Sequence, residues 1–175
     1  LFIDTAGLRR KSKVNEDIEY YSTSRAVGSI ERCDIVILII DAQHGPTKQD
    51  LKIASLIKKN NKGIIIAVNK SDLIPQKLKN EAMIKKSLFE MLTEINYALV
   101  VVISALKAKN IQKIYDLIDN IYESQKSKIN TNNLNKYLKS LILRSTAPVN
   151  KGRRLKMYYA TQSKGDIPSF VLFCN

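Results

Sequence analysis

Ile64-Ile65-Ile66-Ala67-Val68-Asn69-Lys70-Ser71-Asp72 is a short apolar run that ends in Asn-Lys-x-Asp. The run is too short for a buried helix and rich in β-branched residues, so it reads as a strand buried on both faces. Its polar residues then fall at the carboxyl end of the strand, where open α/β sheets hold their ligands. Guanine presents an N1–H and an N2–H₂ side by side, both donors. A carboxylate such as Asp72 accepts both at once, and charge-assisted bidentate bonds are the strong kind. Asn69 serves the other base edge or ties neighbouring loops together. Lys70 can lay its alkyl stem along a base or sugar face. The same residues are also what a plain polar turn looks like in a chain rich in Lys and Asn.

Outward from that stretch the pattern repeats. Leu1-Phe2-Ile3 reads as a strand that runs into Asp4-Thr5-Ala6-Gly7. Asp-x-x-Gly after a buried strand suits a phosphate site. The Asp reaches Mg²⁺, and a Gly lets a backbone N–H approach the terminal phosphate with no Cβ in the way. A plain glycine turn reads the same way. Leu8 to Val14 is a basic, loop-like stretch, and residues 19–31 look helical but are weakened by Gly28. Ile35 to Ile40 is a further apolar run, closed by Asp41. Thr47 is placed to cap a helix carrying Leu51, Ala54 and Ile57. His44, the only histidine, falls in the turn before it and reads as a solvated loop residue.

Past Asp72, Ile84, Leu88, Met91, Leu92 and Ile95 share one face of a helix over residues 81–95. Leu99 to Ile103 is the fourth apolar run, closing in Ser104-Ala105-Leu106-Lys107. Ile111, Ile114, Tyr115, Ile118, Ile121 and Tyr122 then recur at helical spacing. Strand and helix alternate four times, each strand nearly continuous in apolar residues, which is the doubly wound α/β signature. Every strand hands over to a polar turn at the same sheet edge.

The polar stretch from Ser124 to Asn133 marks a domain boundary. Beyond it, Leu134, Tyr137, Leu138, Leu141 and Ile142 mark a helix, and Leu155–Thr161 and Ser169–Cys174 read as strands. Lys151, Arg153, Arg154 and Lys156 cluster at the entry to the first of these. A basic loop on a small α+β unit reads as a nucleic-acid contact, or else as a solvated hairpin entry.

The whole chain has 175 residues and a net charge of +13, an excess that favours an anionic partner such as nucleic acid over composition bias alone. Cys33 and Cys174 stand far apart with no metal-ligand spacing, and read as small buried hydrophobes in a reducing compartment. No apolar run is long enough to span a membrane and no signal peptide opens the chain, so a cytoplasmic protein is expected. The chain opens mid-strand with no Met and stops in an apolar run, and reads as a fragment of a longer protein.

Asp4-Thr5-Ala6-Gly7, Asn69-Lys70-Ser71-Asp72 and Ser104-Ala105-Leu106, in that order, resemble the third, fourth and fifth motifs of translation-factor-class GTPases. The flanks narrow this. The run from Asp4 through Arg9-Arg10-Lys11 to Val14, Ser24-Arg25-Ala26, Ile30-Glu31-Arg32 and Asp41-Ala42-Gln43-His44-Gly45-Pro46-Thr47 resemble the second GTPase domain of the EngA (Der) family. Tyr159-Ala160-Thr161-Gln162 and Pro168 to Phe173 are similar to the start of that family's KH-like domain. The resemblance implies a P-loop-type GTPase sheet, truncated at its N-terminus, over residues 1–128, and the start of a KH-like RNA-binding domain over 129–175. It implies two tandem GTPase domains in the whole protein, GTP hydrolysis, and a part in assembling the large ribosomal subunit, with ribosomal RNA as partner.

The resemblance also implies roles. Asp72 reads guanine N1–H and N2–H₂, Asn69 the N7 side or a loop anchor, and Lys70 packs beside base and ribose. Ala105, within Ser104-Ala105-Leu106, gives its N–H to guanine O6. Asp4 holds Mg²⁺ through water, and Gly7 donates to the γ-phosphate, with Thr5 and Ala6 between them. GTP or GDP with Mg²⁺ is the implied ligand, and a potassium ion the implied supplement. Leu8 stands where many GTPases have a water-orienting Gln, so weak intrinsic hydrolysis is expected. Ser71 stands where the family usually has Trp, which removes a packing surface beside the base. The phosphate loop and the Mg²⁺-binding Thr are expected to precede Leu1, so residues 1–175 alone are expected to be inactive. No Gly-x-x-Gly loop of the kind KH domains use occurs, so RNA contact rests on basic side chains. Two rival readings stand beside this one: a non-catalytic RNA-binding module, and a different translation-factor-class GTPase.

Overall fold

The computed structural model describes residues 1–3, 27–75, 80–144, 149–150, 153–165 and 168–175. Asp4, Thr5, Ala6 and Gly7, the basic run after them and Lys151 lie outside the described residues. The chain divides into two compact units, Leu1–Ile121 and Tyr122–Asn175.

The first unit is built on three parallel strands, β1 (Ile35–Asp41), β2 (Gly63–Asn69) and β3 (Leu99–Val102), in that spatial order. Parallel pairing requires a crossover between strands, and α1 (Lys48–Lys59) and α2 (Glu81–Met91) supply them. β2 is the centre, and its five residues Ile64 to Val68 are all buried. Side chains alternate between the faces of a strand. Ile64, Ile66 and Val68 therefore meet Ala54 and Ile57 of α1 and Leu88, Leu92 and Ile95 from the α2 region. Ile65 and Ala67 meet, with Val101 and Ile103, the face of Ile111, Ile114, Leu117, Ile118 and Ile121. Most of that second face belongs to α3 (Gln112–Lys126). Each fully buried isoleucine contributes roughly 1.5–3 kcal/mol relative to an exposed one, so β2 is the energetic axis of this unit.

The expected cap is present. Thr47 Oγ1 accepts from the Asp50 N–H, and the Asp50 carboxylate accepts from the Thr47 N–H at 2.7 Å, a closed capping box. Asn80 caps α2 by its side chain alone, accepting from Ala82 N and Met83 N.

Several expectations change. Leu1-Phe2-Ile3, read as a strand, pairs with no described strand and is exposed, although the Phe2 ring meets the Tyr115 ring edge-on at 5.8 Å. The helix over 81–95 stops at Met91, and Thr93–Ile95 tightens into a 3₁₀ turn. Met91, at the helix end, stands half-exposed, while Leu92 and Ile95 beyond it are buried. Within residues 19–31 the described part is helical from 27 and runs to 32. Ser124–Asn133, read as a boundary stretch, is helical up to Lys126 and again from Thr131, with only four residues between helices. Cys33 is half-buried and Cys174 exposed, where both were expected inside; partial burial pushes the Cys33 thiol up from its ordinary value.

In the second unit α4 (Thr131–Arg144) packs on β6 (Met157–Gln162), which pairs antiparallel with β7 (Phe170–Cys174). Asn135 fastens helix to strand. Its side chain accepts from Ala160 N at 2.9 Å and donates to Ala160 O at 2.7 Å. Both Leu134 and Ala160 are buried beneath it. Gln162 reaches the loop before α4, accepting from Ile129 N at 2.8 Å. Two short strands, β4 (Val149–Asn150) and β5 (Arg153–Arg154), pair antiparallel across the basic cluster. Among the described residues, no helix is long and apolar enough to cross a membrane.

Candidate functional site

Register sets the site. Asp41 lies opposite Asn69 across β1 and β2, and Val68 opposite Val102 across β2 and β3. The three strands therefore end at one edge, and the polar turns after them meet there.

Asn69, the last residue of β2, is the joint. Its side-chain oxygen accepts from the Lys70 N–H at 2.7 Å and from the Ala105 N–H at 2.9 Å. Its own backbone oxygen accepts from Ala42 N at 2.9 Å, in the turn after β1. One residue thus touches all three turns. A second tie runs beside it, from Ser71 N to Ile103 O at 3.0 Å.

Lys70 adopts the left-handed conformation, φ 65°. A side chain there costs about 1 kcal/mol, so the surrounding bonds hold it against its preference. Its ammonium forms an ion pair with Asp41 Oδ2 at 2.6 Å. Asp41 is positioned in turn, since its Oδ1 accepts from Gln43 N at 2.8 Å. The Lys70 hydrogen bond first, and the Gln43 N–H second, hold the Asp41 carboxyl below the usual carboxylate range. His44, expected as a solvated loop residue, is exposed, with Nδ1 3.5 Å from the same Asp41 oxygen.

Asp72 sits in the 3₁₀ turn Ser71–Leu73 that follows. Its Oδ1 accepts from the Ser104 hydroxyl at 2.5 Å. Ser104 is buried, and its oxygen also accepts from Lys107 N at 3.2 Å. A backbone pair between Ser104 and Lys109 closes the loop, and the Asn110 side chain donates to Val102 O at 2.8 Å. Ala105 and Leu106 stand exposed at the tip.

Asn69, Lys70, Asp72, Ser104 and Ala105 are therefore brought together, as the sequence led us to expect. Two points differ from that expectation. The Ala105 N–H donates to Asn69, so any outside acceptor must share it. Asp41 was read only as the close of a strand, and it holds the lysine. The signal available was its place at the end of one parallel strand beside another that ends in Asn69. Ser71 is buried in this turn, so its small side chain does not lie open at the surface.

Of the basic cluster, Arg154 and Lys156 are exposed, and the Lys156 ammonium lies 5.5 Å over the Tyr158 ring. Among the described residues, no group of three or more His, Cys, Asp or Glu could hold a metal ion.

Comparison with known proteins adds to this geometry. Residues 19–124 match the family described as Elongation factor Tu GTP binding domain. Residues 128–175 match the KH-domain-like family of EngA bacterial GTPase enzymes, C-terminal. The chain is 44% identical over 175 residues to GTPase Der of Agathobacter rectalis, covering all of this chain and 40% of that protein. It is 45% identical to GTPase Der of Lachnospira eligens, with the same two shares. It thus spans about 40% of the length of the curated relatives it matches. Among solved structures, Era in complex with MgGDPNP and a segment of 16S ribosomal RNA is 28% identical, with a TM-score of 0.51 over 61% of this chain and 35% of that one. A probable GTP-binding protein engB, 21% identical, matches in fold, with a TM-score of 0.54 over 67% of this chain and 75% of that one.

Proposed function

The chain belongs to the EngA (Der) family of GTPases, and from that premise we propose that its sheet edge is the guanine-binding end of a GTP-hydrolysing factor of ribosome assembly. The observation that carries this is the Asp72 carboxylate held by Ser104 at 2.5 Å, beside the Asn69–Ala105 tie. Ser104 orients Asp72 through Oδ1, and a carboxylate offers two oxygens with about four lone-pair sites in all. Asp72 takes the guanine N1–H and N2–H₂. Ala105 shares its N–H between Asn69 and guanine O6, and Asn69 acts first as the anchor of the two loops. Lys70 lies beside base and ribose. Adenine has no N1–H and would leave the carboxylate short of a donor, which is how such sites reject the wrong ligand.

Residues 1–128 are read as the GTPase portion and 129–175 as the start of a KH-like domain; the KH-like match over 128–175 supports this, while the compact units divide seven residues earlier, at Ile121 and Tyr122. Asp4 and Gly7, to which the resemblance gives Mg²⁺ and the γ-phosphate, lie outside the described residues. Hydrolysis is assigned to the full-length protein, because residues 1–175 contain no Gly-x-x-x-x-Gly-Lys phosphate loop.

The partner is proposed to be ribosomal RNA within the large subunit or its precursors, met in the cytoplasm. The net charge of +13, the KH-like match and the exposed Arg154 and Lys156 support it. With Lys151 and Arg153, these side chains would meet phosphates rather than read bases.

Asp72→Asn in the full-length protein tests the base site. It replaces an acceptor by an amide that also donates. GTP affinity should fall by about ten- to a hundredfold, the worth of a charged hydrogen bond. Xanthosine triphosphate, with an oxygen at C2, should gain relative to GTP. Unchanged GTP affinity in a titration removes the role given to Asp72.

A further inference from the structure

We infer that Asp41 is a positioning residue for the nucleotide: through Lys70 it fixes where the lysine stem lies when the base arrives. The inference rests on the base-site reading above and adds a residue to it.

Lysine is a poor platform by itself. Its stem has four rotatable bonds, and ordering them costs conformational entropy. Lys70 comes with part of that ordering done. Its backbone is held left-handed at φ 65°, and its ammonium is pinned by Asp41 Oδ2 at 2.6 Å. Both ends of the stem are therefore fixed. Asp41 is itself fixed from two sides. Its Oδ1 accepts from Gln43 N at 2.8 Å, and its backbone oxygen accepts from Gly45 N at 2.9 Å. The parallel register then places this braced carboxylate opposite Asn69, the residue just before Lys70. Acidic groups are scarce here, 16 against 29 basic ones, and this carboxylate engages Lys70 through Oδ2 at 2.6 Å, with the exposed His44 Nδ1 farther off at 3.5 Å. The pair is half-exposed, and an exposed pair adds little to folding. Its effect should therefore show in binding, where a lysine ordered beforehand loses less freedom.

Two substitutions separate this from a simple surface ion pair. Asp41→Asn keeps an oxygen for the Gln43 N–H and removes the charge that holds Lys70. Lys70→Met keeps the stem and removes the ammonium. Each is made alone and together in the full-length protein, GDP and GTP affinities are measured by calorimetry, and melting temperatures check the fold. Asp41→Asn should weaken binding about threefold. In the Lys70→Met background it should add nothing, because the group it acts through is gone. Wild-type affinity for Asp41→Asn makes the pair a surface contact only and overturns the inference. An equal loss in both backgrounds overturns it too, since Asp41 would then act on something else. Asp72→Asn is measured alongside. If it and Lys70→Met both bind GTP as wild type does, the base-site reading itself has failed; if both weaken binding and Asp41→Asn does not, only the role of Asp41 has.

Discussion

β2 and β7 are two apolar runs of similar length, Gly63–Asn69 and Phe170–Cys174, with opposite fates. From Ile64 to Val68 no residue of β2 is more than 3% exposed. From Phe170 to Phe173 every residue of β7 is between 40% and 51% exposed. Hydrophobicity does not separate them; neighbours do. β2 pairs on both edges, with β1 and β3, and is covered on both faces. β7 pairs only with β6 among the described residues, and Tyr159 against Phe173, with ring centroids 5.9 Å apart, is its one described aromatic partner. An apolar run states what favours burial; the elements that reach it decide whether burial happens. α4 covers β6, where Ala160 is buried, but β7 keeps its side chains largely in water, and a two-stranded pair is marginal unless something covers it. The polar site stands on the firm strand, so Asn69, Lys70 and Asp72 inherit its rigidity.

Hydrogen exchange should show the largest contrast. Amides of Ile65, Ile66 and Ala67 should exchange only through global opening of their unit. Those of Val171 and Leu172 should exchange at least about a thousandfold faster. Equal protection would mean that β7 is covered in solution and would break the comparison.

Large-to-small substitution should sharpen it. Ile66→Ala leaves a cavity between α1 and the sheet and should destabilise the first unit by about 2–5 kcal/mol in denaturant titrations. A smaller loss would show that the core collapses onto the gap. At the other end of the scale, Leu172→Ser should change stability by no more than about 0.5 kcal/mol, because that side chain is half in water already. A loss as large as that of Ile66→Ala would reveal packing on β7 that this structure does not contain.

Much of this was legible beforehand because it is local. Thr47 and Asp50 are three residues apart, and the capping box follows from that spacing. The apolar runs and their polar endings placed Asn69, Asp72 and Ser104 on one sheet edge before any coordinates. The Asp41–Lys70 pair was not legible, because it depends on the register between two strands. Nor was the exposure of Met91, which the face drawn through Ile84, Leu88, Leu92 and Ile95 had included. β4 and β5 are two residues each, too short to show an alternating pattern. The sides of Asp72 and Lys70 that would face a nucleotide follow from chemistry, while the Ser104 hydroxyl on Asp72 needed the fold.

The bond from Ala105 to the Asn69 side chain spans 36 positions in sequence. It cannot form until the chain has completed α2 and laid β3 against β2. The entropy of closing such a loop grows only slowly with its length, but it must be met before the contact rewards it. Asn69 thus makes closure of this sheet-edge tie, and of the proposed base site built on it, a late event in folding. If the proposed base site is right, a chain emerging from synthesis would present it only once the third parallel strand had docked, and ligand rescue of a misfolded chain would act only after that step.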